Sequence, residues 1–301
     1  MKLIIGSRGS KLALAQTYYV KDLLEKIDEN LDIEIKVVKT KGDVNQKAPI
    51  SQLGLGVFTK ELDIKMLEDE IDIAVHSLKD VPTLWKEELT IAATPERESY
   101  HDVIVYNRGV DIEGSVVVGT SSVRRRAFLS LKYPRMKIVP LRGNIDTRLK
   151  KLMEGKYDGI VVAEAGLRRL KIDLDALNLN YRRLDIPPAP AQGVIGVAAR
   201  RDDKEVIKLL KRINDSKTYL ESTAERWALR IYGGGCQAPF GALARYCSDS
   251  GELHLTCSVV DVENGRIVWE EGKIKCDVED IEGAKRLAKD VGSKLREKVE
   301  S

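Results

Sequence analysis

The sequence predicts an α/β protein whose last third becomes a smaller α+β domain. Three observations carry that expectation. Through the first two-thirds, short apolar runs alternate with amphipathic stretches, the pattern of βα units in parallel or mixed sheets. Beyond Asn214–Ser216 the pattern changes to a long helix, alternating stretches, a hairpin turn at Asn264-Gly265 and a closing helix. The 301 residues suffice for two or three domains with ample core.

In chain order, apolar runs predict strands at Lys2–Ile5, Ile33–Lys39, Ile71–Val75, Leu89–Ala93, Val103–Tyr106, Val116–Val118, Lys137–Pro140, Gly159–Val162 and Val194–Ala198. Helices are expected over Lys11–Lys26, Thr59–Glu68, Val123–Leu131, Thr147–Glu154 and Lys204–Ile213. The first of these carries Leu12, Ala15, Tyr19 and Leu23 near helical spacing, as one apolar stripe. In the last third, Ser216–Ile231 places Leu220, Ala224, Trp227 and Ile231 on one helical face. Ala242–Tyr246, Glu252–Val260 and Arg266–Glu271 read as strands, and Ile281–Val299 repeats Leu287, Val291 and Leu295 every four residues.

Domain boundaries are expected near Glu98–His101 and near Asn214–Ser216. Pro187-Pro188-Ala189-Pro190-Ala191-Gln192-Gly193 is a stiff connector, because each proline restricts its own φ and the residue before it. Asp43–Gly56 is polar, aperiodic and glycine-bearing, and reads as a mobile loop or lid.

Lys plus Arg (50) nearly balances Asp plus Glu (47), for a net charge of +3. That balance, with only 5% aromatic residues, argues against nucleic-acid binding. No stretch approaches a membrane span, and the apolar start Met1–Ile5 is too short for a secretory leader, so the expected location is the cytoplasm. The four cysteines, Cys236, Cys247, Cys257 and Cys276, show no zinc-type spacing, and without a leader disulfides are not expected. Cys247, Cys257 and Cys276 lie in strand-like stretches and read as packing residues. Three scattered histidines, His76, His101 and His254, do not suggest a metal site.

Polar motifs follow the strands repeatedly: Gly6-Ser7-Arg8-Gly9-Ser10, His76-Ser77-Leu78-Lys79-Asp80-Val81-Pro82, Gly119-Thr120-Ser121-Ser122-Val123-Arg124-Arg125-Arg126, Leu141-Arg142-Gly143-Asn144-Ile145-Asp146-Thr147-Arg148, and Ala163-Glu164-Ala165-Gly166-Leu167-Arg168-Arg169. Ligands of open α/β sheets bind beyond the carboxyl ends of strands. One such motif means ordinary capping and a solvated basic face. Five at equivalent positions point to a polyanionic ligand. The clearest is Gly119–Arg126, where a hydroxyl can cap the helix, free N–H groups attract anions, and arginine forks grip carboxylates.

Asp80 stands out as an acid in an expected basic cleft. Two readings fit it: an ion pair with Lys79 or a nearby arginine, or a carboxylate held where positive charge develops in a reaction. His76 fits either a donor beneath the site or a satisfied buried histidine. Tyr232-Gly233-Gly234-Gly235-Cys236-Gln237-Ala238-Pro239 is a loop that presents one thiol on bare backbone. Alone it reads as a helix cap before a buried cysteine. Beside the five strand ends it reads as an anchor.

In this order the motifs resemble the hydroxymethylbilane synthase (porphobilinogen deaminase) family over nearly the whole chain. Ala165-Gly166-Leu167, Thr223-Ala224-Glu225-Arg226 and Gly234-Gly235-Cys236-Gln237 complete the set. The resemblance implies two periplasmic-binding-protein-like α/β domains and a small C-terminal α+β domain, spanning 1–97 with 193–213, 98–192 and 214–301. It implies a transferase that joins four porphobilinogen molecules head to tail, with loss of ammonia. They are added to a dipyrromethane cofactor held by thioether on Cys236, and no metal is implied. Asp80 would be catalytic, stabilising the cation left when ammonia departs. Lys79, Thr120, Ser121, Ser122, Arg124, Arg125, Arg142 and Gly143 would hold the cofactor. Ser7, Arg8, Lys60, Arg148, Arg169 and Gln192 would hold substrate. A monomer is expected. The chain departs from the family pattern at Leu55, where a lysine is common, at His101 in place of an arginine, and at Ala191 in place of a glycine. The rival reading is a two-lobed anion-binding protein without catalysis, which gives Asp80 and the Cys236 loop no role.

Overall fold

The structure is a computed structural model that describes residues 1–40, 56, 59–233 and 238–301. Most of the expected Asp43–Gly56 loop, the Leu55 departure and the Cys236 anchor lie outside the described residues. The chain divides into two compact units, one formed by Met1–Glu98 and Val194–Leu220, the other by Ser99–Gly193 and Glu221–Ser301.

The first unit contains β1 (Lys2–Arg8), α1 (Lys11–Ile27), β2 (Asp32–Val38), α2 (Lys60–Leu67), β3 (Ile73–Ser77) and β4 (Leu89–Ala93). The second holds β5 (Asp102–Asn107), β6 (Val116–Gly119), α3 (Val123–Lys132), β7 (Met136–Val139), α4 (Ile145–Met153), β8 (Gly159–Ala163), α5 (Glu164–Arg169) and β9 (Leu179–Arg183). The chain returns to the first unit for β10 (Ile195–Arg200) and α6 (Lys204–Lys211), and α7 (Ser216–Tyr232) leads back to the second. There β11 (Phe240–Cys247), β12 (Glu252–Asp261), β13 (Arg266–Lys275) and α8 (Ile281–Glu300) form the α+β part.

The first unit's sheet runs β2-β1-β3-β10-β4, with β1, β2 and β3 parallel and β10 antiparallel to both its neighbours. The second unit's large sheet runs β7-β6-β8-β5-β9 on the same plan, with β5 as the reversed strand. The middle of each central strand is apolar because both faces are covered. Ile73 and Val75 pack with Val20, Leu24 and Leu210, whereas Ala74 packs with Leu62 and Met66 on the other face. The three-stranded sheet is the antiparallel meander β11-β12-β13. Against it α8 buries Leu287, Val291 and Leu295, the residues whose spacing predicted that helix.

The structure differs from the sequence reading at α1 and β9, and at α5 (Glu164–Arg169), a helix of six residues that the sequence reading took only as a polar motif. The buried face of α1 is Ala13, Gln16, Thr17, Val20 and Leu24, one residue round from the expected stripe, and Tyr19 is exposed. Gln16 and Thr17 make that turn because they bond to strand ends, as described below. Strand β9, Leu-Asn-Tyr-Arg-Arg, was not anticipated. It is an edge strand with one buried side chain, held by backbone pairing to β5, so no apolar alternation marks it. Among the described residues no helix is long and apolar enough to cross a membrane.

Candidate active site

In the first unit, β1 and β3 run parallel in the register Ile5↔Ile73 and Gly6↔Ala74. That register, carried on, sets Arg8 level with His76. The Ser7 hydroxyl is buried; it donates to the Arg8 carbonyl (3.0 Å) and accepts from Thr17 Oγ1 (2.7 Å). Gln16 Nε2 donates to Ser77 Oγ at 2.9 Å. These two contacts tie α1 to both strand ends. His76 is buried, and burial together with the positive charge of Arg8 pushes its pKa down to about 4. It is therefore neutral at pH 7, and its Nε2 has no hydrogen-bond partner among the described residues.

Beyond β3 one 3-10 turn, Leu78–Asp80, is pinned by Leu78 N–H donating to the Val194 carbonyl at 2.9 Å. The turn leaves Lys79 half-buried and Asp80 exposed. Asp80 makes no ion pair among the described residues, so its carboxylate is not neutralised by Lys79. Lys60 is exposed at the first position of α2.

In the second unit, Ser122 is the residue that caps α3, its Oγ accepting from the Arg125 N–H at 3.4 Å. Thr120 Oγ1 accepts from the Ser122 N–H, and Ser121 Oγ donates to the Leu141 carbonyl at 2.8 Å. The hydroxyls thus shape the turn. Arg124 and Arg125, each 6% exposed, converge on the buried Asp102. Arg124 Nη2 donates to Asp102 Oδ2 at 2.7 Å, and Arg125 Nε and Nη2 donate to Oδ1 at 3.0 and 2.7 Å. Arg124 Nη1 also donates to the Pro187 carbonyl, and Arg125 Nη1 to that of Val161 at 2.9 Å. Burial lowers the Arg124 pKa, against the attraction of Asp102.

At the end of β7, Gly143 takes φ +112, where a Cβ would lie 2.7 Å from Thr147 Cγ2. Its carbonyl accepts from Arg148 Nε at 2.7 Å, and the half-buried Arg142 receives Lys151 Nζ on its own carbonyl at 3.1 Å. Arg169 Nη2 donates to the Gly193 carbonyl at 2.7 Å. Gln192 is fully buried, and its Nε2 donates to the Tyr100 carbonyl (2.8 Å) and to Asp102 Oδ1 (3.0 Å).

The sequence reading did not assign roles to the buried acids Asp102, Glu164 and Glu225, or to Gln16. Burial raises the Glu164 carboxyl, but bonds from Arg183, Ser99 and Arg168 outweigh it and hold the group below the ordinary carboxylate range. The signal available for these acids was their place within or beside an apolar run. Of the packing cysteines, Cys257 is buried and its thiol pKa is pushed up by burial, whereas Cys247 is exposed at the end of β11.

The family model "Porphobilinogen deaminase, dipyromethane cofactor binding domain" matches residues 3–208, and that for the porphobilinogen deaminase C-terminal domain matches residues 219–297. The chain belongs to the porphobilinogen deaminase family. It is 51% identical to the probable porphobilinogen deaminase of Methanocaldococcus jannaschii over 97% of this chain and 99% of that protein. It is 40% identical to the probable porphobilinogen deaminase of Archaeoglobus fulgidus over 98% and 99%. Against the porphobilinogen deaminase of Roseiflexus sp. the figures are 42% over 88% of each chain. The activity of the family is that of hydroxymethylbilane synthase, a transferase of tetrapyrrole biosynthesis that uses porphobilinogen and a dipyrromethane cofactor.

The second unit's residues fit that cofactor. Among the described residues the two buried guanidiniums form ion pairs with one carboxylate, that of Asp102, so positive charge is in excess there. Both arginines stand in the first turn of α3, the helix end that carries partial positive charge. A group bearing acetate and propionate side chains would bring anions to that charge.

Proposed function

We propose that Asp80 is the catalytic carboxylate of this synthase and that the arginines of the second unit hold the carboxylate side chains. The observation that carries the reading is the contrast between the two sites among the described residues: an exposed acid without an ion pair, and a buried cationic pair in excess of its acid. Asp80 stabilises the positive charge that develops as ammonia leaves porphobilinogen. Arg124, Arg125 and Arg142 bind cofactor carboxylates, with Lys79, Thr120, Ser121, Ser122 and Gly143 shaping their surroundings. Ser7, Arg8, Lys60, Arg148, Arg169 and Gln192 serve the substrate. Because the Ser7 hydroxyl is already engaged with Thr17, that residue contributes its backbone. When bound, the dipyrromethane group supplies the free pyrrole α-carbon that is extended, and Cys236 is its anchor.

The domain limits in this reading are 1–97 with 193–213, 98–192 and 214–301. The family matches support the last boundary, since they part between residues 208 and 219. The enzyme works as a monomer in the cytoplasm, without nucleic acid or membrane. Intact mass before and after adding porphobilinogen tests the whole reading. A mass above that of the sequence by one dipyrromethane, then stepwise increments, is expected. A bare mass with no consumption of porphobilinogen refutes it.

A further inference from the structure

We propose that Glu225 is a positioning residue for the arginine pair, acting through the left-handed backbone of Ala191 and the amide of Gln192. The proposal rests on the reading that Arg124 and Arg125 bind cofactor carboxylates, and extends it: the same pair also meets the carboxylates of each arriving porphobilinogen.

Glu225 lies on α7 and is fully buried. Its carboxylate accepts from two backbone N–H groups, Ala191 at 2.6 Å and Ala244 of β11 at 2.9 Å. Two hydrogen bonds converge on one buried side chain, so α7 holds both of these backbone groups. Ala191 stands at φ +59, a conformation that glycine adopts freely and alanine resists. The surroundings must impose it, and Glu225 holds that residue's own N–H.

The next residue inherits the constraint. Gln192 Nε2 donates to the Tyr100 carbonyl and to Asp102 Oδ1, the same oxygen that receives Arg125. At the other end of the connector, the Pro187 carbonyl receives Arg124 Nη1. The connector therefore touches Arg124 at one end and, at the other, the Asp102 carboxylate that both arginines share, and Glu225 holds the backbone beside that second contact. A carboxylate is required at 225 because both partners are donors. An amide would turn its own N–H₂ on one of them.

The test uses the cofactor-loaded enzyme. Glu225→Gln preserves side-chain volume and removes one acceptor. Carboxylate binding is made alike in ground and transition states, so KM for porphobilinogen should rise about tenfold while kcat stays within about twofold. The cofactor mass should remain. Adding Ala191→Gly should return KM to within about threefold of the parent, because glycine takes the left-handed conformation unaided. A role confined to fixing α7 on β11 would lower the melting temperature, leave KM alone, and gain nothing from Ala191→Gly. Unchanged KM in Glu225→Gln, or KM still raised in the double variant, overturns the proposal. If Glu225→Gln does not fold, Ala191→Val strains the same residue with the acid intact. Raised KM supports the proposal and unchanged KM overturns it. Arg125→Lys separates the underlying reading. If it leaves KM unchanged, the arginine assignment fails. If it raises KM while Glu225→Gln does not, only the positioning role fails.

Discussion

Replacing His76 by a side chain that cannot titrate should flatten the acid limb of the first unit's stability. The folded imidazole is held neutral, with its pKa pushed from 6.5 to about 4 by burial and then by Arg8. The unfolded chain titrates near 6.5. A depressed histidine costs stability on the acid side: below 6.5 the unfolded state takes up a proton that the folded state refuses. At about 1.4 kcal/mol per pH unit, the full loss is about 3 kcal/mol, of which about 2 kcal/mol has gone by pH 5. His76 is only 5% exposed, so solvent does not discount the effect. The measurement is urea unfolding at pH 7, 6 and 5 for the parent and His76→Asn. Both carry Trp227→Phe and Trp269→Phe, so that Trp85, bonded to Asp63 in the first unit, is the reporter. Carboxylates that titrate in both proteins cancel in the difference. Imidazole NMR gives the second readout, with His76 unprotonated at pH 5. Parallel stability curves, or a His76 resonance that titrates above pH 6, would refute the reasoning.

Asp80→Asn should leave the melting temperature and the cofactor mass unchanged, because the side chain is exposed at the end of its turn, yet turnover should collapse. Near-normal turnover would remove its charge-stabilising role. Gly241→Ala would place a Cβ 2.5 Å from Pro187 Cβ and 3.0 Å from the carbonyl oxygens of Pro187 and Pro188, and backbone atoms cannot swing aside. A destabilisation of about 1–3 kcal/mol is expected by calorimetry, and an unchanged melting temperature would show that the connector yields. Cys236→Ser should abolish cofactor attachment, whereas Cys247→Ser, an exposed thiol on β11, should not. Equal masses for the two variants would mean that the anchor is misassigned.

Strand ends and the C-terminal meander were legible because each depends on local pattern. Apolar runs closed by glycine, serine and arginine gave β1, β3, β6, β7 and β8, and Asn264-Gly265 gave the β12–β13 turn. The edge strand β9 was hidden because one of its five side chains is buried and backbone pairing to β5 places the rest, which leaves no apolar alternation to read. The buried face of α1 was misjudged by one residue for a related reason. Gln16 and Thr17 are polar, and only the positions of Ser77 and Ser7 in space make them inward-facing. The run of arginines at Arg124 and Arg125 was legible in the sequence but their burial was not, since the acid they bond lies more than 20 residues away in β5.

That last case has a topological cause. Three parallel strands deliver every carboxyl end to one edge of a sheet, so β6, β7 and β8 can supply hydroxyls and arginines there but arrive at the opposite edge with their own beginnings. An element that starts at the carboxyl edge has to run backwards. In the second unit β5 does so, with Asp102 at its first position paired to Ala163 at the end of β8. In the first unit β10 does the same, with Ile195 paired to Ser77 and the Val194 carbonyl fixing the turn that carries Asp80. In each unit the reversed strand therefore brings a residue that fixes its neighbours at the carboxyl edge: an acid that sets the arginines in one, and a carbonyl that sets the Leu78–Asp80 turn in the other. Gln192 and Gly193, immediately before β10, join the two roles along the chain. A sequence change in this short segment should therefore disturb the arginine pair and the Asp80 turn together, although neither group lies within it.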